Sequence, residues 1–224
     1  MFFQNLTMRP TINELSNSDR FRLLKTLHHK EIVDFVLENL RQLHAPIVFY
    51  YLFNLLLLLY VIFFGIYSIY TGYLGGKTIL LYFLAGIFLG MVIVIPFHEL
   101  LHGVAYKLAG ARKVKYGACL RQMLFYASAP GFVVGKKQFT IVALLPFVIL
   151  NLVFIAGYIF LEPAGQWTSL VALLSHSSLC IGDFAMMNFF SSRKDARLFT
   201  YDDPEKEAAY FYESVPQETA DSER

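Results

Sequence analysis

The chain has 224 residues, of which 56% are hydrophobic, 17% aromatic and only 16% charged. Soluble domains carry about a quarter charged residues, so the composition excludes an ordinary water-soluble domain and points to an integral membrane protein. A net charge of +2 gives no electrostatic case for nucleic acid as a partner, and Cys119 and Cys180, without CxxC spacing, argue against a disulfide framework and against a thiolate zinc site.

The first residues, MFFQNLTMRP, lack a basic start, an apolar core and a small-residue cleavage site, so no cleavable signal is expected. From Ser18 to Leu43 apolar residues recur near helical spacing. They predict one or two amphipathic helices lying on the membrane surface, in a region spanning residues 1–46. Four apolar runs follow, each near the roughly 20 residues a crossing needs: Ile47 to Thr71, Thr78 to Tyr106, Phe139 to Leu161 and Trp167 to Ser192. They define a four-span unit over 47–192. Between the second and third spans, Val114 to Lys137 is rich in strand formers and ends in a SAPG turn signal, which predicts a small hairpin or re-entrant element. Residues 193–224 form a polar tail whose last ten or so residues are expected to be disordered.

Lys and Arg alternate with every crossing. Six precede the first span, seven lie in the loop between the second and third, and five follow the fourth; the remaining two loops hold only Lys77 between them. The positive-inside rule places both termini and the central loop in the cytoplasm of a multi-pass cell-membrane protein. The expected fold class is therefore all-α integral membrane: four transmembrane helices, N-terminal amphipathic helices and a small cytoplasmic β element, with the lipid bilayer as solvent.

Apart from tyrosines and Cys180, the ionisable side chains inside the spans are His98, Glu99 and His102 on the second and His176 and Asp183 on the fourth. A charge at mid-bilayer costs roughly 2.5–3.5 kcal/mol, so such residues mark function and face partners or water. His98-Glu99-Leu100-Leu101-His102 is HExxH. On a helix its histidines stack on one face and can share a Zn²⁺ at about 2.0–2.1 Å, with Glu99 beside it as general base. A catalytic zinc needs a third ligand, and Asp183, His176 and Glu162 are the candidates. At about 1.5 Å rise per residue, His98 and His102 lie roughly 13 and 8 Å from the cytoplasmic face and Asp183 roughly 15 Å, but His176 roughly 25 Å. Depth selects Asp183 and leaves His176, two turns away, for an outer-shell or substrate role. Pro96 removes a backbone donor and predicts a kink beside the motif that would open room for a peptide; Pro146 and Asn151 in the third span are candidates for shaping the cavity, with helix packing as the favoured role.

The run IPFHELLHGVAYKLAGA, residues 95–111, resembles the bacterial putative zincin peptidase family, whose motif Pro-x-His-Glu-x-x-His closes a span, and IGDF, residues 181–184, resembles that family's third-ligand segment. The family is similar in style to the site-2 proteases, from which this chain departs in having Gly182-Asp183 rather than Asp-Gly and no Asn-Pro. The resemblance covers about residues 80–190. It implies a zinc metallopeptidase with His98, His102 and Asp183 as ligands, Glu99 as general base, and a membrane protein or peptide as substrate. Two other classes remain open: a metal-ion transporter, and a non-catalytic membrane scaffold with a structural metal site. Neither depends on Glu99.

Overall fold

The computed structural model describes residues 9–119, 124–193 and 196–215. Asn5-Leu6-Thr7, a glycosylation sequon in form, Arg121, Lys194 and the last residues, expected to be disordered, lie outside them. In chain order the elements are α1 (Ile12–Asn17), β1 (Phe21–His28), α2 (Ile32–Leu40), α3 (Ala45–Tyr70), α4 (Gly76–Phe88), α5 (Ile95–Leu108), β2 (Lys115–Cys119), β3 (Leu124–Ser128), β4 (Val134–Gly135), α6 (Lys136–Phe160), α7 (Pro163–Leu179), α8 (Ile181–Ser191), β5 (Leu198–Asp203) and β6 (Ala208–Ser214).

Three helices are long and apolar enough to cross a membrane: α3, the 33-residue stretch Gly76–Leu108 that joins α4 to α5, and α6. The pair α7 and α8, bent by 43°, makes a fourth candidate. Exposed Leu, Ile and Phe side chains cover α3, α4 and α6. Such a surface suits hydrocarbon, where only segments that satisfy their own backbone can persist.

Small residues set the packing of this bundle. A Cβ on Gly86 would lie 2.7 Å from Val171 Cβ, and one on Gly90 would lie 2.6 Å from the carbonyl oxygen of Ala172. This small-xxx-small spacing brings the second span against α7 at backbone distance, which dispersion rewards in a membrane. Between α4 and α5 the chain makes one π-helical turn, Leu89–Ile93, and Pro96 sits in the first turn of α5. Pro96, expected to kink the span, instead opens α5 just after this wide turn, where a missing N–H costs nothing.

The central hairpin is present as β2 and β3, paired antiparallel from Lys115↔Ser128 to Cys119↔Leu124. The two ends of the chain differ from expectation. Phe21–His28, expected to be helical, is strand β1, while Ile32–Leu40 is the helix α2. The segment expected as a polar tail carries β5 and β6. All four outer strands form one antiparallel sheet in the order β1-β6-β5-β4. Apolar residues near helical spacing cannot reveal a ladder whose partner lies about 190 residues away, as in Phe21↔Ser214. The β5–β6 turn is built by Asp203, whose Oδ1 accepts from the backbone N–H of Glu205 and Lys206, an Asx turn.

The sheet has two buried faces. Leu27, Leu198 and Phe211 pack into the main core with Phe35, Phe139, Phe184 and Phe190. The opposite face, with Tyr201 and Tyr212, packs with Leu15 of α1. Asn188 of α8 donates to the carbonyls of Asn39 and Gln42, satisfying the C-terminal end of α2. The sheet is thereby fixed to one end of the helix bundle.

Candidate metal centre

His98 and His102 are one turn apart on α5, and Asp183 lies in the first turn of α8. The structure brings all three together. His98 Nε2 is 3.0 Å from His102 Nε2, 3.3 Å from one Asp183 oxygen, and His102 Nε2 is 3.3 Å from the other. Ligands about 2.0–2.1 Å from a tetrahedral zinc are about 3.3 Å from one another, so the two imidazole nitrogens and the carboxylate, which meets each nitrogen through a different oxygen, have spacings that suit a shared ion. Glu162, the outer-loop candidate, occupies the N-cap position of α7 with no side-chain capping bond and is in neither potential ligand group. The Glu99 carboxylate belongs to the same potential ligand group as the two histidines, within 4.8 Å, and the backbone of Ala127 on β3 approaches it as a hydrogen-bond donor.

The outer partners decide which histidine nitrogens are free. His102 Nδ1 lies 2.9 Å from the carbonyl of Val142 on α6. A carbonyl can only accept, so Nδ1 carries the proton and Nε2 keeps its lone pair. His176 Nδ1 lies 2.9 Å from Asn151 Oδ1, and His176 Nε2 lies 3.1 Å from His98 Nδ1. With Asn151 Oδ1 accepting, His176 is protonated on Nδ1 and accepts through Nε2; His98 then donates through Nδ1 and frees its Nε2. Both Nε2 lone pairs point to the Asp183 carboxylate. Ligand histidines held in this way by second hydrogen bonds are the rule in zinc sites.

His176 is thus at the site, not a further 10 Å along the span. A depth of roughly 25 Å for His176 would hold only if the fourth span were one straight helix. Its 43° bend falls at Cys180, between His176 and Asp183, and lets both residues reach His98. His98, His176 and Cys180 form a second potential ligand group, but the Cys180 thiol donates to the carbonyl of His176 at 3.3 Å and His98 reaches this group with Nδ1 alone. The Nε2 side is the better site.

A cavity of about 270 Å³ opens on the Glu99, His102 and Asp183 side chains. Its other walls are β3, through Ala127, and the inner face of the four-stranded sheet, through Thr200 and Asp202. The β3 wall is the hairpin expected between the second and third spans, whereas the sheet wall has no sequence signal, because no local pattern in the ends of the chain tells that they fold back over the motif.

Residues 91–197 match the family described as Putative zincin peptidase, which bears out the resemblance carried by the motif and IGDF. The match spans the HExxH helix, the hairpin, α6, α7 and α8. The family implies zinc and suggests a metallopeptidase. No curated protein and no solved structure matches the chain.

Proposed function

We propose that this chain is a zinc metallopeptidase of the membrane that hydrolyses peptide bonds of membrane-associated substrates near the cytoplasmic face. The observation that carries the proposal is the convergence of His98 Nε2, His102 Nε2 and the Asp183 carboxylate at 3.0–3.3 Å, with Glu99 beside them on a cavity wall. The alternation of Lys and Arg along the sequence supports the cytoplasmic placing of the sheet and of both termini.

His98, His102 and Asp183 would hold the ion. Zinc there supplies Lewis acidity, making water acidic enough for a carboxylate to deprotonate near neutral pH and polarising a carbonyl oxygen. Glu99 takes that proton, holds it on its carboxylate and delivers it to the departing amine. The walls of β3, α5 and the sheet limit water around the reacting groups. Among the described residues the outer edge of β3 pairs with no strand, and β3 lines the cavity. An extended substrate can add there as a further strand, with main-chain hydrogen bonds fixing the scissile bond.

The test is metal analysis and turnover of the full chain in detergent micelles. Wild type should carry one zinc per chain and cleave membrane-derived peptides; Glu99→Gln should keep the zinc and lose cleavage. Wild type without stoichiometric zinc, or a Glu99→Gln variant with undiminished activity, would overturn the proposal. The second of these outcomes would favour a transporter or scaffold, neither of which needs a general base.

A further inference from the structure

Among the cavity walls one carboxylate has no role in the chemistry above. Asp202 lies on β5, in register with Ala209 of β6, and Ala209 is in register with Leu27 of β1. All three side chains line the cavity, so this row of the sheet faces the metal centre. Glu213, the other acid on the same face of the sheet, is held by Arg22 and Arg193. Asp202 has neither an ion pair nor a side-chain hydrogen bond among the described residues. Burial alone pushes its carboxyl up to about 6, the mark of an anion placed without a counter-charge. Such a group costs stability unless something pairs with it.

The cavity as a whole has the same imbalance. Among the described residues its walls carry Glu99, Asp183 and Asp202 and the histidines His29, His98 and His102, but no Lys or Arg. With a divalent ion bound and the histidines neutral, three carboxylates leave one negative charge uncompensated. Tyr106, one helical turn beyond His102 on α5 and also in the wall, is within electrostatic reach of both Asp183 and Asp202. The unpaired carboxylate therefore sits on the sheet side of the cavity that the metal-centre residues share.

We infer that Asp202 is a specificity subsite that binds the ammonium or guanidinium of a substrate Lys or Arg close to the scissile bond. The inference rests on the peptidase reading and names its substrate class. Membrane segments carry Lys and Arg just inside the cytoplasmic face, which is where a substrate strand laid along β3 leaves the bilayer. At about 3.3 Å per residue in an extended strand, a cation within three residues of the cleaved bond reaches from the metal centre to the sheet.

The experiment uses the full chain in micelles free of amine lipids, with fluorogenic peptides made of an apolar run and a short polar end. One position in that end is Lys, Gln or Glu, scanned over three residues on each side of the cleaved bond. At one position the Lys peptide should exceed the Gln peptide by roughly tenfold in kcat/KM, as expected for a charge-assisted hydrogen bond, with Glu poorest. Asp202→Asn should collapse that ratio, and Asp202→Lys should reverse it in favour of Glu. Zinc content and thermal unfolding of each variant verify folding. Fluorescence anisotropy of labelled Lys and Gln peptides on Glu99→Gln, with and without Asp202→Asn, reads the same preference without turnover. Equal handling of Lys and Gln peptides overturns the inference, and so does a preference that survives Asp202→Asn. If no peptide is cleaved by the zinc-loaded wild type, the peptidase reading fails, and the anisotropy still decides whether Asp202 binds a cation.

Discussion

The His102 imidazole bonds to the one carbonyl of α6 that Pro146 leaves open. Pro146 lies inside α6 and has no N–H to give to the carbonyl four residues earlier, which is Val142. His102 Nδ1 occupies that carbonyl at 2.9 Å. A helix defect in one span thus fixes the tautomer of a ligand on another. Pro146→Ala would return an N–H to α6 and make it compete for Val142. The expected outcome is divergent: thermal stability unchanged or raised, because a helix interior tolerates Ala far better than Pro by up to about 3 kcal/mol, but zinc affinity lowered severalfold. Competition with a chelator measures the second quantity. A Pro146→Ala variant with wild-type zinc affinity would show that the Val142 bond does not matter to the site.

The second ligand depends on a longer relay. Asn151 holds His176, and His176 holds His98. Asn151→Leu leaves His176 free to take its other tautomer and donate to His98 Nδ1, which would force the proton of His98 onto Nε2 and block it as a ligand. His176→Ala removes the partner altogether. Each change should cost about 10–100-fold in zinc affinity, while His176→Asn, which can still accept at one end, should restore part of it. Loss of activity at full zinc occupancy in these variants would point instead to a direct role for His176 on substrate.

The motif itself was legible in the sequence because its geometry is local. HExxH needs only a helix to bring His98 and His102 together, and IGDF needs only the right depth for Asp183. The place of His176 was not legible, since it depends on the 43° bend between α7 and α8, which no Pro announces. Asn151 looked like a packing residue because its function is to orient a histidine that itself touches only another histidine. The sheet was hidden for a different reason. β1 and β6 bury their apolar residues against each other, β5, α1 and the bundle end, all distant in sequence, so neither carries a signal that can be read alone.

Gly86 and Gly90 have no chemistry, but they position α7 and therefore His176. A Cβ at either would lie within 3.0 Å of α7 atoms, including backbone carbonyls of Thr168 and Ala172. Backbone cannot yield as a flexible side chain does. Gly90→Val should destabilise the bundle by about 1–3 kcal/mol and lower zinc affinity together with it. Gly76→Ala, where a Cβ meets nothing within 4 Å, is the control. Thermal unfolding of the two variants, with zinc titration, separates a packing effect from a general intolerance of substitution in this span.

The edge of β3 gives a test of substrate docking. The Ala127 backbone points to Glu99, so alternate donors, including that of Phe125, face away from β2. Phe125→Pro removes one outward donor and leaves the β2–β3 ladder intact, as proline on an edge strand allows. Turnover should fall by roughly tenfold, the value of one or two main-chain hydrogen bonds, with zinc content unchanged. Tyr126→Pro, which faces the ladder, should disrupt the hairpin itself. Unchanged turnover in Phe125→Pro would remove β3 as the substrate-pairing edge.

Asp202 predicts a pH dependence of stability that an ordinary surface acid would not show. Burial raises its carboxyl from the usual 3.8 to about 6, so the folded state holds a proton that the unfolded chain has released. Between those two values the folded state binds more protons, and stability therefore falls as pH rises from about 4 to about 6 and stays reduced above. The full shift corresponds to about 3 kcal/mol; because the side chain opens partly onto the cavity, about 1–3 kcal/mol is expected. Asp202→Asn carries no such charge. Thermal unfolding of the zinc-free full chain from pH 4.5 to 8 should show the variant no more stable than wild type at the acid end and more stable by several degrees above pH 6.5. A peptide with Lys at the preferred position should raise the wild-type unfolding temperature at pH 7.5 and leave that of the variant nearly unmoved. Parallel pH profiles for the two proteins would mean that Asp202 is neutralised by a group of the chain itself, and that its carboxylate is not held in reserve for substrate.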